Sequence, residues 1–156
     1  MNNNGCPGCS GRRMVTNDRT GNPVVCPLCE GTGHFWNYRP EFRHYIVNQV
    51  LTALGLGNPV LTIDAQADFQ LVWLTRTASG GTFTSRISDT STGRQWDNAA
   101  VNDLNRFGSA QQPFPVGLSP VILKAQSSLS IALVDTSGNP NTVQLAFIGY
   151  DLYPLK

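Results

Sequence analysis

All four cysteines of the chain fall inside two copies of one eight-residue word, CPGCSGRR at residues 6–13 and CPLCEGTG at residues 26–33. The two C-x-x-C pairs, with sixteen residues between Cys9 and Cys26, have the spacing of a four-thiolate zinc site. A tight turn over the two intervening residues can bring both sulfurs of a pair to about 2.3 Å from the same ion. Pro7 and Pro27 fix φ inside the turns, and Gly11, Gly31 and Gly33 let the backbone fold back toward the sulfurs. Cys6, Cys9, Cys26 and Cys29 are therefore expected to hold one structural Zn2+ as two halves of a single cage. With every ligand position filled by thiolate, no open position remains for a catalytic water. Disulfides are the competing reading. They require an oxidising compartment, and the polar start Met1–Gly5 lacks the basic and then apolar pattern of a secretion signal. His34, directly after the second pair, is read as a solvated neighbour rather than a ligand.

Residues 26–33 resemble, at every position, the C-x-x-C-x-G-x-G repeat of the zinc-binding region of DnaJ-class chaperones; residues 6–13 match up to Gly11 and carry Arg13 in place of the last glycine. In that family two repeats bind one zinc. The resemblance thus implies a metal-binding hairpin and, because the sequence carries no J-domain signature and no further repeats, no chaperone activity. The expected organisation is a zinc-binding hairpin over 1–34, an aromatic linker over 35–44 and a β-rich domain over 45–156.

Between and after the cysteine pairs lie Arg12, Arg13 and Arg19, and then the aromatic run HFWNYRPEFRHY, with Phe35, Trp36, Tyr38, Phe42 and Tyr45 beside Arg39, Arg43 and His44. Such a cluster could stack bases and grip phosphate. The arginines are sparse, however, and the aromatics sit where the hairpin would dock on the next domain, so linker packing is preferred. Charge points the same way. The chain has 156 residues, net charge +1 and 13% charged side chains, about half the usual share, so no strong field collects nucleic acid or anionic lipid. No apolar run approaches the ~18–20 residues of a membrane span. A soluble protein made in the cytoplasm is expected, with a Ser/Thr/Asn/Gln/Gly surface suited to packing against neighbours.

Residues 45–156 contain no Cys, His or Glu. A Ser-His-Asp triad, a Cys-His dyad and a histidine-containing metal site cannot be built there, and acid/base work would fall to aspartates alone. Asp64 and Asp68 could pair, but aspartates flanking a short connection are more often turn caps. No enzyme is expected.

Hydrophobic alternation marks strands in VLTIDA (60–65), DFQLVWLTRT (68–77), GTFTSRISDT (81–90, with Phe83, Ser85 and Ile87 on one face), LSIALV and VQLAFIGYDLY. ASGG and SGNPN read as hairpin turns, which would pair each strand with its successor. EFRHYIVNQVLTAL satisfies both helical and strand spacing; its β-branched and aromatic content favours an edge strand. Residues 94–120 have little periodicity, and read as a loop committed to contacts or as a short helix near Ala99–Leu104. Together these describe an antiparallel, jelly-roll-like β-sandwich.

The succession IDAQADFQLVW, RFGSAQQPFP, NTVQLAFIGYDLY resembles small β-sandwich structural proteins of tailed bacteriophages, which decorate the head or form a collar or fibre-base at the neck. The resemblance implies a non-enzymatic virion protein assembled in the host cytoplasm. It also implies a homo-oligomer in contact with other virion proteins, either the major capsid protein or the portal and neck, and without nucleic-acid or membrane partners. A zinc-dependent adaptor binding nucleic acid or peptide through the hairpin is the alternative. A carbohydrate-binding sandwich is a third; it would need Trp96 as an exposed platform, since Trp73 lies within an apolar strand and is expected in the core.

Overall fold

The computed structural model describes residues 14–16, 23–25, 38–109, 111–116 and 121–154. Two compact units are distinguished: residues 1–39 with 154–156, and residues 40–153. In the first, β1 (Met14–Thr16) pairs antiparallel with β2 (Pro23–Val25), with Met14 opposite Val25 and Thr16 opposite Pro23. The expected zinc ligands Cys6, Cys9, Cys26 and Cys29 lie outside the described residues.

The second unit is two antiparallel sheets. One has the order β10-β6-β12-β3, from Val121–Leu123, Asp68–Ala78, Asn141–Pro154 and Tyr38–Leu51, and β9 (Phe114–Pro115) also pairs with β6. The other has the order β4-β11-β7-β8, from Leu56–Gly57, Ser128–Asp135, Phe83–Asp89 and Val101–Asn102, and β5 (Val60–Thr62) also pairs with β11. A four-residue helix, α1 (Asp103–Arg106), follows β8, slightly later than expected. Asn102 caps it by accepting the Leu104 N–H.

The inward faces of the two sheets share one core, as in a β-sandwich. Phe69, Leu71, Leu74, Leu145 and Phe147 of the first sheet meet Phe83, Ile87, Leu129, Ile131 and Leu133 of the second, all with 2% exposure or less. Strict alternation in β7 and β11 produces this, since every second side chain of a strand points the same way. The ambiguous segment 41–54 forms most of β3, an edge strand that begins at Tyr38 within the expected linker.

The turns differ from expectation. ASGG does not close a β6–β7 hairpin, nor SGNPN a β11–β12 hairpin. Both connections cross from one sheet to the other, so β6 pairs with β12 and β7 with β11. The two crossovers run side by side, joined by Ser79 N–H to Thr142 O (3.1 Å), Thr136 N–H to Thr82 O (3.1 Å) and Gly80 N–H to Asn141 Oδ1 (2.9 Å). Gly80 is needed there because a Cβ would collide with the Pro140 carbonyl. Turn-forming sequence marks a reversal of the chain and is equally well used by a corner between sheets; the local signal does not name the pairing partner.

Asp135, 1% exposed, sits at this corner. Its carboxylate accepts from Leu54 N–H (3.0 Å), Gly138 N–H (3.0 Å), Ser137 Oγ (2.7 Å) and Asn141 Nδ2 (3.2 Å). Burial alone would push its carboxyl up; these donors outweigh that and hold it down at about 2.

Candidate assembly surface

A sheet with one face on a core normally turns a polar face to water. The outer face of the β10-β6-β12-β3 sheet does not. On β3 the outward positions are Phe42, His44, Ile46, Asn48 and Val50, with Phe42 58%, Ile46 45% and Val50 69% exposed. On β12 they are Gln144, Ala146, Ile148, Tyr150 and Leu152, alternating with the buried Val143, Leu145 and Phe147. Phe42 packs edge-on against Tyr150 (centroids 5.6 Å apart), and the Gln144 amide donates to Asn48 Oδ1 (2.8 Å). Ile122 on β10 extends the surface.

Trp73 joins this face, contrary to the expected core position. Its partner across the sheet is Ile148, whereas the next pair along is Leu71 with Gly149, so the register shifts there and Val72 is left as an extra residue. One inserted residue inverts the alternation beyond it: Phe69 and Leu71 point inward, and after the bulge Leu74 does, leaving Trp73 outward. Gly149 permits the close approach, because a Cβ would meet the Gln70 carbonyl. Trp96, whose exposure the carbohydrate-binding reading would need, is half-buried like Trp73 and packs against the core. The outward positions from Phe42 to Val50, Gln70 to Thr77 and Gln144 to Leu152 carry no Asp, Glu, Lys or Arg.

Of the charges near this sheet, Arg43 and Asp151 are turned away from the face, whereas Asp68, opposite the outward Leu152, lies at its end and is paired with Lys124. Tyr45 Oη donates to Asp151 Oδ1 (3.1 Å) and accepts the Asp64 N–H (3.1 Å). Arg43 Nε lies 3.4 Å from Asp151 Oδ2, and its guanidinium sits 5.7 Å from the Tyr45 ring centroid. Burial pushes the Asp151 carboxyl up, partly countered by the Tyr45 hydroxyl and the Arg43 charge. Desolvation likewise raises Tyr45. Asp64 accepts the Gln66 N–H (2.9 Å), while Asp68 accepts from Ala125 N–H (2.9 Å) and Lys124 Nζ (2.7 Å). Each of these two carboxylates thus holds backbone at a turn.

The sequence does carry a signal for the apolar face. In VQLAFIGYDLY both parities are apolar: Leu145 and Phe147 on one, Ala146, Ile148, Tyr150 and Leu152 on the other. A strand covered on both sides reads this way. Trp73 could not be found so, because nothing local announces the bulge. The chain matches no known protein-family model and has no significant match among curated proteins.

Proposed function

We propose that this chain is a non-enzymatic structural protein of a bacteriophage particle, a capsid-decoration, collar or fibre-base subunit. It assembles with copies of itself through a jelly-roll-like sandwich and is anchored by a zinc-stapled N-terminal module. The observation that carries the self-assembly is the outer face of the β10-β6-β12-β3 sheet, largely apolar across β3, β6 and β12 and with its one outward carboxylate, Asp68, at the end beside Leu152. Strands of 11 and 14 residues at about 3.4 Å per residue run for some 37–48 Å, and the three long ones at about 4.8 Å spacing span about 14 Å, with the three-residue β10 at the margin. That gives roughly 500–700 Å2 per copy, somewhat below the ~800 Å2 per partner of a standard specific interface.

The zinc site is supported by the β1–β2 ribbon. Its register sets residue 14 opposite residue 25, so the chain enters and leaves at one end, and Cys9 and Cys26 flank that end in sequence. Cys6, Cys9, Cys26 and Cys29 would hold the ion, whose role is structural. The assignment to a phage particle rests on the resemblance of residues 45–156 to tailed-phage sandwich proteins.

Native mass spectrometry of the full-length protein in volatile buffer tests the reading, since one spectrum reports chains per particle and metal per chain. A closed oligomer with one zinc per chain is expected. A monomer at micromolar concentration would overturn self-assembly; a metal-free chain with paired disulfides would overturn the staple.

A further inference from the structure

We infer that the cleft at the side of the sandwich opposite β3 is a binding site for an acidic sugar, a pyranose carrying a carboxylate. The cleft measures about 570 Å3, within the ~300–1,000 Å3 of small-ligand sites. It opens where the β10 margin of one sheet and the β8 margin of the other are bridged by the connection that carries residues 94–97 and α1. Leu74, Val101, Val121 and Leu123 form an apolar floor, with Trp96 and Phe114 as aromatic walls. The half-buried Trp96 has one side on the core, leaving an indole surface of the kind that stacks on the C–H face of a sugar ring.

Against this apolar lining converge Asp89, Arg94, Asp97, Asn105 and Arg106, with the Asp89 carboxylate accepting from the Ser91 N–H and hydroxyl. Arg106 and Asp97 form an ion pair whose side chains are only 11% and 18% exposed. Asp97 occupies the Nη2 of Arg106 and leaves Nε, which is buried and has no hydrogen-bond partner. A buried guanidinium N–H without an acceptor is costly, and a ligand carboxylate is the group whose geometry suits it. The exposed Arg94 on the rim, without a side-chain partner among the described residues, supplies the second positive charge. Asn105 is exposed and free to bond ring hydroxyls. The cleft meets the assembly face at Ile122, but Arg94, Trp96, Asp97, Asn105 and Arg106 do not lie on that face, so the polar part of the site does not depend on self-association.

Two-dimensional NMR of the indole N–H signals, with the full-length protein titrated by sodium glucuronate, glucose and sodium benzoate in parallel, tests the inference. Glucuronate is expected to shift the Trp96 signal saturably, glucose to bind at least tenfold more weakly, and benzoate to bind more weakly than glucuronate. Arg94→Gln, a change at an exposed position that leaves the fold intact, is expected to weaken glucuronate at least tenfold. Trp96→Phe, assigned by the loss of its own signal, should weaken glucuronate and glucose alike, followed by the ligand's saturation-transfer signal. No saturable shift with glucuronate, equal affinity for glucose, or preference for benzoate would each overturn the assignment.

Discussion

The two sheets share a core, yet their outer faces are built from different residues. On the second sheet the outward positions of β7 and β11 are Thr84, Arg86 and Ser88, and Ser128, Ser130, Ala132 and Val134: small, mostly hydroxylated side chains with a charge among them, and the exposed apolar residues Leu56 and Val60 are confined to the short strands β4 and β5 at its margin. On the first, polar His44, Asn48, Gln70, Thr75, Thr77 and Gln144 are interspersed with the large apolar Phe42, Ile46, Val50, Trp73, Ile148, Tyr150 and Leu152. Burial of one face is enough to fix a strand in a sandwich, so apolar residues on the other face do nothing for the isolated fold and risk association with other surfaces. The central strands of the second sheet show what this chain uses where only folding is required, and the large apolar side chains on the first fit the partner surface proposed above.

Breaking the inner faces should have the largest effect and should not distinguish the sheets. Phe147→Ala in the first and Phe83→Ala in the second, both at 0% exposure, are each expected to cost about 3–5 kcal/mol, read by chemical denaturation. A markedly smaller loss in either would mean that one sheet is not part of the common core.

The outer faces should then separate. Ile46→Lys combined with Ile148→Lys is expected to shift native mass from oligomer to monomer, weakening association by at least a hundredfold, because like charges would be buried opposite one another. Ala132→Lys on the second sheet should leave native mass unchanged. If Ala132→Lys dissociated the particle and the double variant did not, the two faces would have been assigned the wrong way round.

The pH response sharpens the picture at the corner joining the sheets. The Asp135 carboxyl is held at about 2 against an ordinary 3.8, so the folded state favours its ionised form. The stability this contributes is fully present above the ordinary value and is lost as pH falls through the range from 3.8 to about 2. The melting temperature of the wild-type protein should therefore drop more steeply over that range than that of Asp135→Asn. Asp151, also 1% exposed, is shifted the other way, because burial outweighs the Tyr45 hydroxyl donor and the Arg43 charge beside it. Its ionisation opposes folding, so Asp151→Asn should recover a little stability at neutral pH. The smallest effect is optical: acrylamide should quench Trp73 more than Trp96 in a monomeric variant and lose that preference when the particle assembles.

Much of this fold can be read from the chain, and what is hidden is hidden for physical reasons. Alternation in β7 and β11 places Phe83, Ile87, Leu129 and Ile131 inward, because a side-chain period of two is a local property. The strand character of Tyr38–Leu51 follows from its β-branched and aromatic content. The pairing of β6 with β12 and β7 with β11 is not local, and Gly-rich turns serve a corner as well as a hairpin. The outward turn of Trp73 depends on a bulge whose cause, the register against Gly149, lies 76 positions away in sequence. The cleft assembles Leu74, Asp97, Arg106 and Leu123 from four separate segments, and no spacing rule joins them.

The crossed connections also have a kinetic consequence. A hairpin closes a short loop and can form early. Here the ladders β6–β12 and β7–β11 join segments that begin 73 and 45 residues apart, so neither β6 nor β7 finds its long-strand partner until most of the chain has been synthesised. Loop closure of that span is a heavy entropic step, and high contact order goes with slow folding, on the order of milliseconds to seconds. During that interval β6 exposes apolar residues on both faces, and β12, made after every other described strand, is the one that completes its ladder. A chain cut before Asn141 would lose the central partner of both β6 and β3 at once, which makes the C-terminal strand the step that commits the molecule to its fold.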